Sequence, residues 1–338
     1  MAKKTVPSKQ AEINYRFDWN ELAFGSKKAV RQLKATFIMA PRELSIGRFT
    51  QLVIEHLPKG NIILGLAKEA YIDSFDGQPQ FRTLRAEAVQ AVIDKVNTSQ
   101  SPSKIYTLDY FQRDVDYLLE KLDFERTVLI NGSWLSAFHN RSTYYMLVNK
   151  RINFAMASPF VDDAEAKAYL SDISTEILES LKLPAVQTAV TFTEAEMFEV
   201  ANRAAKLSFD YSFQTGLALG KQQENGEYSL LSYTYNKVVP YETYAMHHGA
   251  AREVNFSPPN DLNHYDTVHA EIDNLINAQK QHIDLAGTTL FINLLPCPTC
   301  ARALCLSDIA EFAYREDHSD GYAIKLLELA GKTVRRVV

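Results

Sequence analysis

Cysteine is scarce in this chain and sits in one place: of 338 residues only three are cysteine, and Cys297, Cys300 and Cys305 all fall within one short stretch. Disulfide frameworks of secreted folds spread their half-cystines over the loops they staple, so this clustering speaks against one and for a reducing, cytoplasmic setting with a metal site. Long apolar runs are missing too. The longest, 61–67 and 288–295, are far below the roughly 20 residues of a membrane helix, and no membrane span is expected. Positive charge is not in excess. A net charge of -5 gives no general attraction to polyanions, which disfavours nucleic acid as a partner while leaving a local basic patch open. Residues 1–10 carry Lys3, Lys4 and Lys9 without the apolar segment of a secretory signal. Neither G-x-G-x-x-G nor G-x-x-x-x-G-K-[ST] occurs, so dinucleotide and P-loop chemistry are excluded on their clearest signatures.

What is present is ordinary globular composition, 46% hydrophobic and 23% charged, over a length that predicts two domains. After a tail over 1–30, residues 31–184 alternate short strands (35–40, 61–66, 104–108, 126–130 and 153–157) with helical patterns (46–57, 83–96, 110–122 and 142–150). Ser45 and Asp109 are the expected N-caps for two of these helices. Five alternations imply parallel strands with right-handed crossovers, an α/β fold of Rossmann-like parallel sheet sandwich type. Ligands of such sheets sit beyond the carboxyl ends of the strands, where Arg42, Arg48, Lys68, Trp134, His139 and Arg141 fall. That placement leaves room for a nucleotide ligand on this domain. The plainer reading makes Arg42, Arg48 and Arg141 solvated helix-start charge and Trp134 a packing residue.

Leu183-Pro184 marks the connection to a second domain, 190–338. Its first helix opens with the capping box Thr193-x-x-Glu196, and two strands follow, joined at Asn225-Gly226 in a hairpin. Residues 237–266 read as irregular. Helices and strands then alternate to the C-terminus, giving α-β-β-α-β-α-β-α-β.

His269-Ala270-Glu271, then a helix and a strand, then Pro296-Cys297-Pro298-Thr299-Cys300 form the H-x-E…P-C-x-x-C pattern of zinc deaminases. Two thiolates and one imidazole leave the fourth tetrahedral position of Zn²⁺ open, the layout of a catalytic site. Cys297 and Cys300 fall at a helix start, where the dipole favours thiolate. Zinc lowers the pKa of bound water to about 7. Glu271, beside the ligand His269, is the expected proton carrier between water, ring nitrogen and leaving ammonia. Cys305 reads as core, His264 as surface loop with pocket lining as the alternative, and His247-His248 stays outside the metal site for want of carboxylate or cysteine neighbours at ligand spacing.

The last 145 or so residues resemble the cytidine and deoxycytidylate deaminase superfamily, most closely its deoxycytidylate branch. The likeness is carried by His-Ala-Glu-Ile-Asp-Asn-Leu at 269–275, Leu-Pro-Cys-Pro-Thr-Cys at 295–300 and the closing run 322–331. It implies a five-stranded mixed sheet flanked by helices, a cytosine-type substrate and a homo-oligomer. In that branch a strand ends in Gly-Tyr-Asn-Gly, whose Asn binds the nucleotide sugar; Tyr235-Asn236-Lys237 stands in that place, making Asn236 the expected sugar contact. The flanking glycines are absent, and Asp273 stands where the family often has Asn. The first reading is thus hydrolytic deamination of a small nucleoside or nucleotide, deoxycytidine monophosphate favoured. Alternatives are a deaminase acting on a base in RNA or DNA, with Lys237, Arg252 and Arg302 as its nearby cations and the N-terminal domain as targeting module, and a regulator that senses a nucleotide without turning it over.

Overall fold

Side chains alternate across a strand, and that alternation accounts for the first layer. In the computed structural model, which describes residues 14–258, 261, 263–317 and 321–338, six strands form one all-parallel sheet: β1 (Arg16–Asp18), β2 (Ala35–Met39), β3 (Asn61–Ala67), β4 (Ile105–Tyr110), β5 (Arg126–Ile130) and β6 (Asn153–Ala157), in the order β1-β4-β3-β2-β5-β6. Around it lie α1 (Trp19–Phe24), α2 (Lys28–Arg31), α3 (Ile46–His56), α4 (Ala86–Thr98), α5 (Val115–Lys121) and α6 (Ser142–Asn149). Phe37, Met39 and Ile63 face α1, α2, α5 and α6 through Trp19, Val30, Leu118 and Leu147. Ile38, Ile62 and Leu64 face α3 and α4 through Phe49, Leu52, Val89 and Ile93. Burial of both faces is why the strands read as unbroken apolar runs. Ser45 caps α3 as expected, its hydroxyl accepting from Arg48 N at 3.0 Å.

Three expectations change here. The tail drawn over 1–30 ends too late, because β1 adds a sixth strand against β4 and Trp19 buries its ring in the core. Asp109 is not a helix cap: it lies inside β4 opposite Asp18, and α5 starts only after the 3₁₀ turn Gln112–Asp114. Arg42 is not solvated but 1% exposed, because the segment around Gln80 folds over the end of β2; Nη2 donates to Gln80 O at 3.1 Å. Trp134 does pack, 3% exposed against Phe138.

The long α7 (Asp163–Leu181) leads into β7 (Thr191–Phe192), α8 (Glu194–Ala205), β8 (Gly216–Gln222), β9 (Tyr228–Tyr235), β10 (Lys237–Val238), α9 (Tyr244–His248), α10 (Ala251–Val254), β11 (Thr267–Val268), α11 (Ala270–Gln281), β12 (Thr288–Leu294), α12 (Pro298–Leu304), β13 (Glu311–Glu316), α13 (Tyr322–Leu329) and β14 (Thr333–Arg336). The second sheet is mixed, in the order β14-β13-β12-β8-β9-β7. Its five expected strands gain β7, a two-residue strip on the free edge of β9. The capping box at Thr193 and Glu196 forms reciprocally and starts α8. That helix lies so close on β8 that a Cβ on Gly216 would come 2.2 Å from Ala201 O.

The two halves share a core. Ile173, Ile177 and Leu181 of α7 pack with Phe75 and Phe81 from the first half and with Phe209, Tyr211 and Met246 from the second. The stretch read as irregular holds α9, α10 and the β10–β11 pairing, elements of two to five residues that are too short to show a period. Among the described residues no helix is long and apolar enough to cross a membrane.

Candidate active site

Two helix starts converge on one point. His269 is the N-cap residue of α11, in an extended backbone conformation that frees its ring from the helix. Cys297 is the N-cap of α12, followed by Pro298 at the first helical position, and its Sγ accepts from Cys300 N at 3.5 Å. His269 Nδ1 lies 3.6 Å from Cys297 Sγ and 3.4 Å from Cys300 Sγ. A tetrahedral zinc with Zn–S of about 2.3 Å and Zn–N of about 2.0–2.1 Å sets its sulfur and nitrogen ligands about 3.6 Å apart. The donor set therefore fits zinc in both kind and spacing.

The electrostatics agree with that geometry. The Cys297 thiol is lowered to about 3, chiefly by the hydrogen bond from Cys300 Sγ and next by His269. Cys300, holding the proton shared between the sulfurs, is raised. His269 is raised by its bond to Cys297. Glu271, 3% exposed in the first turn of α11, is pushed up by desolvation against the opposing pull of His269.

His269, Glu271 and Cys297 line one cavity of about 330 Å³, and Asn236 forms part of its wall. Asn236 is already engaged: Nδ2 donates to Phe213 O at 2.8 Å and Asp210 Oδ2 at 3.2 Å, and Oδ1 accepts from Thr215 N at 2.8 Å. Lys237 pairs with Asp273 at 3.0 Å. Arg252 lines the cavity, donating to Asp261 O at 2.8 Å with its guanidinium 4.6 Å over the Tyr265 ring. Arg302 stands apart on α12, against Thr299. His264, read as surface loop, lines the cavity as well. Cys305 packs at the edge of the core, its Sγ 3.5 Å from Leu326 O.

Several lining residues escaped the sequence reading. Asp210, buried, is raised to about 6 by desolvation and accepts from Ser212 N and Phe213 N. Its Asp-x-Ser turn is legible in the sequence; its direction into the cavity is not. Ser136 and Asn140 arrive from the first half of the chain. A second trio, Asp163, His247 and His248, also comes within 4.8 Å, because α7 supplies the carboxylate that the local sequence lacks.

A mixed α/β domain with this pair of helix starts over one cavity defines a class, and the C-terminal region of the chain is similar in sequence to deaminases of the cytidine/deoxycytidylate type. Within that class, residues 249–336 match the family model of the MafB19-like deaminases. Deoxycytidylate deaminase of Enterobacteria phage T4 is 33% identical over 51 residues, 15% of this chain and 26% of that protein. ComE operon protein 2 of Bacillus subtilis (strain 168) is 31% identical over 72 residues, 21% of this chain and 38% of that protein. The match therefore spans well under half the length of these curated relatives. The crystal structure of apo dCMP deaminase from cyanophage S-TIM5 aligns with 42% of this chain and 95% of that one, at 18% identity and a TM-score of 0.31.

Proposed function

We propose that this chain hydrolyses the amino group from a cytosine-type nucleoside or nucleotide, with His269, Cys297 and Cys300 as zinc ligands and Glu271 as proton carrier. The observation that carries the reading is a single cavity wall on which a carboxylate, buried and with its pKa raised by desolvation, stands two residues from an imidazole set at zinc-ligand distance from two sulfurs. Zinc, when bound there, supplies a Lewis acid that makes water nucleophilic near neutral pH.

The chain's own groups do the rest. Glu271 takes a proton from the attacking water and hands it to the ring nitrogen beside the attacked carbon. The second proton, from the new hydroxyl, passes through the same carboxylate to the amine. The carbon–oxygen bond forms, the carbon–nitrogen bond breaks, and ammonia leaves as the carbonyl closes. One carboxylate serves throughout because it alternates between base and acid, and desolvation raises its pKa. Asn236 is the proposed sugar contact. Both its amide hydrogens are engaged, so it offers a sugar hydroxyl the remaining lone pair of Oδ1.

A small substrate is favoured over a base in a polynucleotide by the charges around the cavity. Asp210, Asp266 and Glu271 face Arg252, while Lys237 is tied to Asp273, a poor setting for a phosphate backbone. The deoxycytidylate deaminases among the relatives make deoxycytidine monophosphate the first substrate to try. Zinc-loaded protein should release ammonia from it, or from cytidine, deoxycytidine or their phosphates. Glu271→Gln should cut kcat by about 10²–10⁴-fold with zinc content unchanged. Ammonia release that survives Glu271→Gln would overturn the assignment.

A further inference from the structure

A second cavity, of about 420 Å³, lies between the N-terminal sheet and the segment running from His247 to Phe256. The sheet places it. The chain builds β3 and β4 on one side of β2 and β5 and β6 on the other, so β2/β5 is the point where an open α/β sheet leaves a crevice at its carboxyl ends. Arg48 in the first turn of α3, Asn131 directly after β5 and Ser158 directly after β6 all line the cavity.

Its walls are aromatic: Phe138, Tyr144, Phe154 and Phe256, with Tyr144 5.9 Å from Phe154 and the His139 ring 5.3 Å from Phe256. Two buried acceptors on those walls, Asn131 Oδ1 and His139 Nδ1, have no hydrogen-bond partner among the described residues. Asn131 is 4% exposed, and its Nδ2 points to His247 O at 3.4 Å, which fixes the amide's orientation. His139 Nε2 faces Ser257 O at 3.0 Å; it must donate there, which leaves Nδ1 a bare lone pair. Native interiors rarely leave such groups unmatched, and each calls for a donor. Arg48 spends Nε on Ser158 O and Nη1 on Gln51, which leaves Nη2 for an anion.

We infer that this cavity is a second ligand site, distinct from the zinc-type pocket, for a heteroaromatic base that carries N–H donors and an anionic group, a nucleoside monophosphate in size and chemistry. The aromatic walls take the ring faces, Asn131 and His139 accept from its N–H groups, and Arg48 meets the phosphate. The site goes beyond the proposed deamination and stands on separate residues. The two cavities nonetheless share α10, which turns Glu253 and Val254 to this one and Arg252 to the other.

The test uses the full chain carrying Glu271→Gln, so that nothing is turned over, and AMP as probe in isothermal titration. AMP should bind saturably at one site. Arg48→Ala, at the half-buried rim, and Phe256→Ala, on an exposed side chain, should each weaken it about tenfold, whereas Asn236→Ala in the first pocket should leave it unchanged. Inorganic phosphate should compete far more weakly than AMP. Absence of saturable AMP binding would overturn the inference, as would binding lost with Asn236→Ala but kept with Arg48→Ala and Phe256→Ala, or phosphate matching AMP. None of these readouts depends on deaminase activity, so failure here and failure of the proposed reaction are separable.

Discussion

Loss of Glu253, outside the candidate active site, is expected to be costly to the fold. Its buried carboxylate accepts from Trp134 Nε1, from Phe138 N at 3.1 Å and from Tyr211 OH at 2.7 Å, and Tyr211 OH in turn accepts from Ala250 N at 2.8 Å. Trp134 and Phe138 belong to the first half and Tyr211 and Glu253 to the second, so one side chain ties the two together. Glu253→Ala leaves three buried donors unmatched, at about 1–3 kcal/mol each, offset in part by relief of a carboxylate that burial already pushes up. The net expectation is a loss of about 3–5 kcal/mol, a large share of the 5–15 kcal/mol typical of native proteins. Urea unfolding followed by tryptophan fluorescence and far-UV circular dichroism should give a lower midpoint and two separating transitions, since Trp134 reports on the junction itself. Glu253→Gln, which keeps one accepting oxygen, should recover about half of the loss. A Glu253→Ala protein that unfolds in one transition within about 1 kcal/mol of wild type would refute the view that this carboxylate couples the halves.

Elemental analysis should find about one zinc per chain, falling toward zero in Cys300→Ser and His269→Ala while Cys305→Ser keeps it; zinc that persists without Cys300 and His269 would dismiss the ligand set. Asn236→Ala strips partners from Thr215 N, Asp210 and Phe213 O, so it should lower stability by about 2–4 kcal/mol as well as raise KM. A pure KM effect with unchanged unfolding would contradict the packing role. Asp210 gives a pH signature. Its folded pKa of about 6 lies above the ordinary 3.8, so between those values the folded state holds a proton that the unfolded chain has released, and stability falls as pH rises through that window. The swing is on the order of 3 kcal/mol, and the stability difference between wild type and Asp210→Asn should move in favour of the variant from pH 4 to pH 6.5. A difference that stays flat would show that Asp210 is not held protonated by burial.

The uneven legibility of this chain has a physical basis. Metal ligation and proton transfer demand particular atoms at short spacing, so the candidates His269, Glu271, Cys297 and Cys300 stand out in sequence, and the strands flanking them follow from period and capping. Asp210 reaches the cavity from one loop and Ser136 and Asn140 from another, and nothing local in either of them points there. Arg42 shows the converse: a helix-start arginine reads as solvated until a segment some forty residues on covers it, which no window of sequence contains. Asp163 similarly joins His247 and His248 from a helix 85 residues away.

The two departures from the deoxycytidylate pattern become one on the structure. Read along the chain, Lys237 in place of glycine and Asp273 in place of asparagine are separate anomalies, each weakening the likeness. In space Lys237 Nζ lies 3.0 Å from Asp273 Oδ2, with Asp273 nearly buried on α11 directly after the turn that carries Glu271. A lone carboxylate there would be costly to desolvate; the lysine that opens β10 neutralises it, and each residue makes the other tolerable. The pair also occupies the cation next to Asn236 in sequence, while Asp210, Asp266 and Glu271 line the cavity, and both features favour the proposed small substrate over a polynucleotide. On the proposed reading, the departures bear on what would sit around the base and sugar, and leave the assignment of Glu271 as proton carrier untouched.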